Sequence, residues 1–192
     1  NYLLDQKVVI SLGHSDASFE EATEAYNKGI KTTTHLFNAM PSIHHRAPGL
    51  PAAVFSHPKA MASIIADGNH VDFEIIKMSY KLMAERLFLI TDAVTACDIG
   101  PYQHQLSGEK YITPDGTLSG SNITMLQAVR NCVNECGIPL NDALKMASIH
   151  PARVMELENK TGSLAVNRLA NLAVLSKHLD VVKVFAYKSN FI

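Results

Sequence analysis

A strand, a helix and a second strand follow one another in MASIIADGNHVDFEIIKMSYKLMAERLFLIT, residues 61–91. Met61–Ala66 and Arg86–Thr91 are nearly continuous apolar runs of strand length, whereas Val71–Ala84 has the length and the apolar spacing of a helix. Strands that are apolar on both faces and are joined through a helix are typical of a parallel sheet covered by helices. We therefore predict a β-α-β unit in this part of the chain.

The same alternation occurs upstream. Lys7–Leu12 (KVVISL) is another apolar run of strand length, and Lys31–Leu36 is predicted to be the next strand. Between them, Ser18–Lys28 is predicted to be a helix, with Ser18 as its N-cap and Gly29 as its C-terminal stop. The first half of the chain therefore predicts an α/β fold with four parallel strands.

The pattern changes after the fourth strand. Gln103–Leu118 alternates polar and apolar residues around Pro114-Asp115-Gly116, which predicts an inserted hairpin. Two more helices and then two short strands are predicted over Ser121–Cys136, Leu140–Ile149, Leu172–Leu175 and Val181–Ala186.

The composition is that of a globular protein, with 47% hydrophobic and 18% charged residues among 192. Because 17 basic residues nearly balance 18 acidic ones, we expect no nucleic-acid partner and no anionic membrane partner. No apolar run reaches the roughly 18 to 20 residues that cross a bilayer. Cys97, Cys132 and Cys136 lack the spacing of a disulfide framework, so we expect reduced, mostly buried thiols in a cytoplasmic protein.

Polar residues follow each of the four predicted strands. His14 follows the first, His35 and Asn38 the second, His70 the third and Asp92 the fourth. Because the carboxyl ends of the strands in a parallel barrel meet at one face, we expect these side chains to converge. Imidazoles that hold a cation, and a carboxylate that moves protons, suit metal-assisted hydrolysis. On the pattern alone, a set of structural polar residues remains the alternative.

Six motifs, in order, carry a resemblance to a known family: GHSDA (13–17), THLFNAM (34–40), PGL (48–50), IADGNHVD (65–72), LITDA (89–93) and GTLSGS (116–121). From about Val8 to Asn171 the chain resembles the N-acetylglucosamine-6-phosphate deacetylases of the amidohydrolase superfamily. The closing GSLAVNRLANL departs from the family, which commonly has a Gly and an Asp where this chain has Asn167 or Arg168 and Asn171. The resemblance implies the second half of a (β/α)8 TIM-type barrel, four βα units over residues 1–158. Residues 159–192 would then supply strands of a small β-sandwich.

The resemblance also implies a role for each strand-end residue. It implies that one divalent metal ion per site, Zn or Fe with Mn or Co as alternatives, is held by His14 and His35. Asp92 resembles the catalytic carboxylate that takes a proton from the attacking water and passes it to the leaving amine. The implied substrate is a small sugar phosphate, and the product sugar is glucosamine 6-phosphate. The residues implied to bind that substrate are Asn38, Ala39, Arg46 and His70, with Arg46 reaching the neighbouring site of a homodimer.

The family's third metal ligand, a Glu, and a further substrate-binding His lie on strands that have no counterpart in this sequence. Since the chain opens at Asn1 without a Met, we expect an interior or C-terminal piece of a longer protein that is inactive, or nearly so, by itself. The alternatives are another amidohydrolase, such as a dihydroorotase-like enzyme, and a non-catalytic half-barrel module.

Several polar residues near these motifs are predicted to be structural. Asp67 and Asp72 are expected to orient His70 or to cap the next helix, and Ser121 to be a helix N-cap. The remaining histidines are predicted to be loop, surface or structural residues: His44, His45, His57, His104, His150 and His178.

Overall fold

The computed structural model describes residues 2–186. The strands of its main sheet are β1 (Ser11–Leu12), β2 (Thr32–Thr33), β3 (Met61–Ile65) and β4 (Leu87–Ile90). They lie in the order β1-β2-β3-β4, and each strand is parallel to the strand beside it. The prediction of a parallel sheet is therefore confirmed, although the first two strands are much shorter than predicted.

Seven α-helices accompany the sheets in the described part of the chain. They are α1 (Tyr2–Asp5), α2 (Phe19–Asn27), α3 (Gly49–Ser56), α4 (Phe73–Met83), α5 (Met125–Asn134), α6 (Leu140–Met146) and α7 (Ile149–Val154). Three of them, α1, α3 and α7, were not predicted. Helix α7 follows a break at the end of the predicted helix Leu140–Ile149.

Helix α2 begins where its sequence predicts. The Ser18 hydroxyl accepts from the Glu21 backbone N–H at 3.1 Å, and the Glu21 carboxylate accepts from the Ser18 N–H at 2.8 Å. This reciprocal pair is a capping box, and it satisfies two of the donors that a helix start leaves unpaired. The prediction of Ser18 as the N-cap is confirmed.

Both faces of the sheet are buried at β3 and β4. Ala62, Ile64, Leu87 and Leu89 belong to the core cluster that also contains residues of the covering helices. Ile65 and Phe88, which alternate with them along the strands, are also buried but lie outside that cluster. Because side chains alternate along a strand, the helices cover one face and the intervening residues point to the other.

The insertion after β4 differs in detail from the prediction. Its hairpin is β5 (Gln105–Ser107) paired antiparallel with β6 (Lys110–Ile112), so Pro114-Asp115-Gly116 forms the next turn along the chain rather than the hairpin's own turn. Ser121 forms a parallel bridge with Ala93. The prediction of Ser121 as a helix N-cap is wrong, because the Thr124 side chain caps α5 by accepting from the Gln127 N–H.

The end of the described chain forms a separate two-stranded antiparallel sheet of β7 (Leu172–Leu175) and β8 (Val181–Phe185). These bounds agree with the predicted strands to within one residue. The cysteines are unpaired, and Cys132 and Cys136 are buried as expected. Among residues 2–186, none of the helices combines the length and the hydrophobicity required to traverse a bilayer.

Candidate functional site

Two predicted metal ligands meet at the carboxyl ends of adjacent strands. The Nε2 atoms of His14 and His35 lie 2.9 Å apart, with the two rings edge to face. His35 is 5% exposed, whereas His14 is open to solvent. Two imidazole nitrogens this close cannot both carry a proton, so at least one presents its lone pair to the other.

Close backbone packing brings the two loops together. A Cβ at Gly13 would lie 2.8 Å from the Thr34 Cβ, so the chain before His14 depends on glycine to pass β2. On the other side, the His35 N–H donates to the Ser63 hydroxyl at 2.8 Å. The histidine therefore leaves the strand ladder while its amide stays satisfied in a buried position.

The donor set fits a divalent cation in type and in direction. Two nitrogens about 2.0–2.1 Å from a common Zn²⁺ at the tetrahedral angle would be about 3.3 Å apart. A cation would therefore have to spread the Nε2 atoms of His14 and His35 by only a few tenths of an ångström. Within residues 2–186 no group of three His, Cys, Asp or Glu side chains is arranged to hold a metal. The described residues thus provide two candidate ligands, and the buried His35 Nδ1 has no hydrogen-bond partner among them.

His70 is held in a buried polar cluster after β3. Its Nδ1 lies 2.6 Å from the Asp67 carboxylate, and its Nε2 lies 2.6 Å from the Ser119 carbonyl oxygen. Burial by itself lowers the pKa of His70, but the hydrogen bond and the negative charge of Asp67 outweigh it and raise that pKa above its ordinary value. The pKa of Asp67 is lowered, because bonds from His70 and from two backbone amides outweigh the effect of burial. The expectation that Asp67 orients His70 is confirmed, and Asp72 caps α4 as expected.

Asp92 lies immediately after β4, with an exposed side chain and a backbone φ of 48°. Its carbonyl accepts from the Ser121 N–H at 2.8 Å, and a Cβ at Gly120 would lie 2.6 Å from that carbonyl oxygen. The Asp92 charge contributes to the raised pKa of His70. The carboxylate therefore acts electrostatically on the His70 cluster.

The residues predicted to bind phosphate occupy the loop after β2. The Asn38 side chain donates to the carbonyls of His35 and Leu36 at 3.4 and 3.3 Å, and Ala39 has a left-handed φ of 50°. Arg46 is exposed, and its guanidinium donates to His45 Nε2 at 2.6 Å. Asn38 and Ala39 lie one turn beyond the metal-ligand candidate His35, whereas Arg46 lies farther along the loop.

Sequence reasoning did not predict the contacts of three residues that shape the site. Ser63 holds the His35 amide and has no motif that marks it. Ser119 and His104 join the His70 cluster through the Ser119 carbonyl and a 3.0 Å contact between His104 Nδ1 and the Ser119 hydroxyl. The GTLSGS motif marked Ser119, but its partners depend on how the inserted hairpin folds back.

Comparison with known proteins supports one assignment. The sequence model of the amidohydrolase family matches residues 4–191. The N-acetylglucosamine-6-phosphate deacetylase of Vibrio furnissii is 33% identical over 189 residues, which are 95% of this chain and 47% of that protein. The N-acetylgalactosamine-6-phosphate deacetylase of Escherichia coli O157:H7 is 33% identical over 191 residues, 96% of this chain and 51% of that protein.

A solved structure agrees over the same length. The N-acetylglucosamine-6-phosphate deacetylase of Pasteurella multocida superposes with a TM-score of 0.91 at 33% identity, covering 96% of this chain and 51% of that one. The mixed α/β architecture with a parallel sheet is therefore the one found in such deacetylases. The chain spans about half the length of the curated relatives it matches. Because the family model matches nearly the whole chain, this chain belongs to the amidohydrolase family.

Proposed function

We propose that this chain supplies part of the active site of a metal-dependent deacetylase that hydrolyses N-acetylglucosamine 6-phosphate to glucosamine 6-phosphate and acetate. The observation that carries the proposal is the convergence of the His14 and His35 Nε2 atoms at the carboxyl ends of β1 and β2. The names of similar proteins support the substrate class. The proposal includes an architecture: residues 1–158 as half of an eight-stranded barrel, and residues 159–192 as strands of a β-sandwich.

In this proposal His14 and His35 hold one divalent cation, with Zn or Fe preferred over Mn or Co. When bound, such a cation polarises the amide carbonyl and makes a water more acidic. Asp92 accepts a proton from the attacking water and delivers it to the amine as the C–N bond breaks. Asp92 lies after β4 and its carboxylate is exposed, and both features support this role.

The phosphate-binding part of the proposal rests on the loop after β2 and on His70. Asn38 offers an amide and Ala39 a backbone N–H one turn beyond His35. Arg46 is exposed, and we propose that it exchanges its bond to His45 for a phosphate of a neighbouring subunit in a homodimer, since its fork suits phosphate oxygens in pairs. His70 follows β3, and the raised pKa of its imidazole favours the charged form that would attract a phosphate.

A second candidate is deacetylation of N-acetylgalactosamine 6-phosphate. The N-acetylgalactosamine-6-phosphate deacetylase of Escherichia coli O157:H7 and the N-acetylglucosamine-6-phosphate deacetylase of Vibrio furnissii are both 33% identical to this chain. The two substrates differ in the configuration of one hydroxyl. Both carry the same amide and the same phosphate, so both would use the same residues described above.

Acetate release tests the proposal. The 192-residue chain, and the longest protein that contains it, would be supplied with Zn²⁺ or Fe²⁺ and with both phosphorylated sugars and unphosphorylated N-acetylglucosamine. We expect little acetate from the 192-residue chain, because only two metal ligands are present in residues 2–186. We expect the longer protein to prefer a phosphorylated sugar and to lose turnover in Asp92→Asn.

Two variants distinguish the loss of a phosphate contact from the loss of any one exposed positive charge. Arg46→Ala should chiefly raise KM for the phosphorylated sugar, whereas Lys59→Ala, which removes another exposed cation, should not. Equal turnover of phosphorylated and unphosphorylated sugars would contradict the phosphate assignment. If the longer protein releases no acetate from any of the three substrates, the deacetylase proposal is overturned.

A further inference from the structure

The His70 ring lies between two oxygen atoms that accept hydrogen bonds. Nδ1 is 2.6 Å from Asp67 Oδ2 and Nε2 is 2.6 Å from the Ser119 carbonyl oxygen. The side chains of His70 and Asp67 are only 5% and 2% exposed. Water therefore has little access to either group, and the protein itself has to satisfy both ring nitrogens.

The partners determine where the ring protons are. A carbonyl oxygen can only accept, so the contact with Ser119 requires a proton on Nε2. On the other side, Asp67 Oδ1 accepts from the backbone N–H groups of Asn69 at 2.9 Å and of His70 at 2.8 Å. Two such bonds favour the ionised carboxylate, and an ionised carboxylate requires a proton on Nδ1.

We propose that Asp67 is a positioning residue that holds His70 as a doubly protonated cation, with its Nε2–H directed at the Ser119 carbonyl. That His70 serves a phosphorylated substrate rests on the proposed function, but the charge of His70 does not. Since both N–H groups are engaged, a ligand oxygen can bond to Nε2–H only by replacing the Ser119 carbonyl.

The surrounding ionisable groups reinforce this charge state. Asp67 and the more distant Asp92 both favour the cation through their negative charge, and both contributions act against the burial of the ring. His104 is tied to the same residue, because its Nδ1 lies 3.0 Å from the Ser119 hydroxyl. The proposal therefore concerns a cluster on four segments: the loop after β3, the residues that follow β4, the residue before β5 and the segment that follows the inserted hairpin.

The experiment is an NMR titration of the ring nitrogens in the ¹⁵N-labelled 192-residue chain. For the wild type we expect protons on both His70 nitrogens at pH 7 and a titration midpoint above the ordinary histidine value of about 6.5. In Asp67→Asn the new side chain keeps an oxygen for the two backbone amides but offers an NH₂ group to Nδ1. We expect His70 in that variant to be neutral at pH 7, with the proton kept on Nε2 and the midpoint moved to lower pH.

Two controls are available in the same chain. Asp72→Asn, at the residue whose carboxylate caps α4 by accepting from the Glu74 N–H, should leave the His70 midpoint unchanged. His57, whose Nδ1 accepts from the backbone amides of Lys59 and Ala60, should titrate alike in all three proteins.

A wild-type His70 that is neutral at pH 7, or one whose midpoint is the same in Asp67→Asn, overturns the proposal. If Asp67→Asn does not fold, the wild-type spectrum decides by itself, because it reports directly whether both nitrogens carry protons. The titration needs no substrate and no metal. A failed acetate assay would therefore leave this result standing, and a neutral His70 would not by itself exclude deacetylation.

Discussion

Replacing Ser63 with alanine removes the acceptor that keeps the His35 backbone N–H satisfied. Ser63 is 3% exposed, its hydroxyl accepts from that N–H at 2.8 Å, and it donates to the Thr33 carbonyl at 3.3 Å. The alanine would leave a buried N–H without a partner at the point where the chain turns His35 out of β2. A buried donor that loses its acceptor costs about 1–3 kcal/mol. We expect Ser63→Ala to lower the free energy of unfolding by that amount.

Ser79→Ala is the matched control for this change. Ser79 is 1% exposed and its hydroxyl donates to the Ile75 carbonyl one helical turn away at 2.8 Å. The alanine leaves no backbone N–H unsatisfied, and alanine is the better helix former. We expect a loss of about 0.5 kcal/mol or less, although the same oxygen is deleted from an equally buried site.

Urea unfolding followed by circular dichroism measures both variants. With an m-value of about 2 kcal/mol per molar, the Ser63→Ala midpoint should fall by about 0.5–1.5 M urea, while the Ser79→Ala midpoint should stay within about 0.3 M of the wild type. Equal shifts for the two variants would show that the His35 amide does not depend on Ser63, and the account of how His35 leaves the strand would be wrong.

Two further variants test the core and one buried histidine. Ile76→Ala should lower the free energy of unfolding by about 2–5 kcal/mol, because the Ile76 side chain is fully buried. Ile75→Ala should lower it by less than about 1 kcal/mol, because Ile75 is 38% exposed. Similar losses for the two variants in urea unfolding would contradict the assigned buried face of α4. His150 is buried and donates from Nδ1 to the Leu87 carbonyl at 2.8 Å, and burial lowers its pKa. A base whose folded pKa lies below its unfolded pKa stabilises the fold above the unfolded value of about 6.5 and loses that contribution as the pH falls. His150→Gln should therefore lose less stability than the wild type between pH 7 and pH 5, and parallel stability curves for the two proteins would refute this reasoning.

Local sequence signals were sufficient for elements that carry a clear period and clear ends. Residues 61–91 folded as predicted to within about two residues, since both strands and α4 have apolar residues at the spacing of their own type. Helix α3 was missed because it has no polar face, with Leu50, Ala53 and Val54 fully buried. A helix composed almost entirely of apolar residues shows no amphipathic period to detect.

The candidate site was predictable where it follows the strands and not where it depends on folded-back segments. His14 and His35 were brought together by adjacent parallel strands, which is a consequence of topology alone. The partners of His70 were not accessible in the same way, because Ser119 lies 49 residues along the chain. Its approach is set by the inserted hairpin and by the bridge of Ser121 to Ala93, and neither follows from a local pattern.

Backbone strain gives an independent reason to treat the strand ends as functional. Ten non-glycine residues of the described chain have a positive φ, and four of them are among the seven predicted site residues: His14, His35, Ala39 and Asp92. Each such residue costs on the order of 1–2 kcal/mol relative to a residue with an ordinary backbone. The left-handed turns aim side chains out of the ladder at the sheet edge, and glycine or asparagine would make the same turns at lower cost. A chain that keeps imidazoles and a carboxylate in these turns gives up several kcal/mol out of a typical total of about 5–15 kcal/mol. This cost supports the proposal that His14, His35 and Asp92 occupy these turns for the chemistry of their side chains.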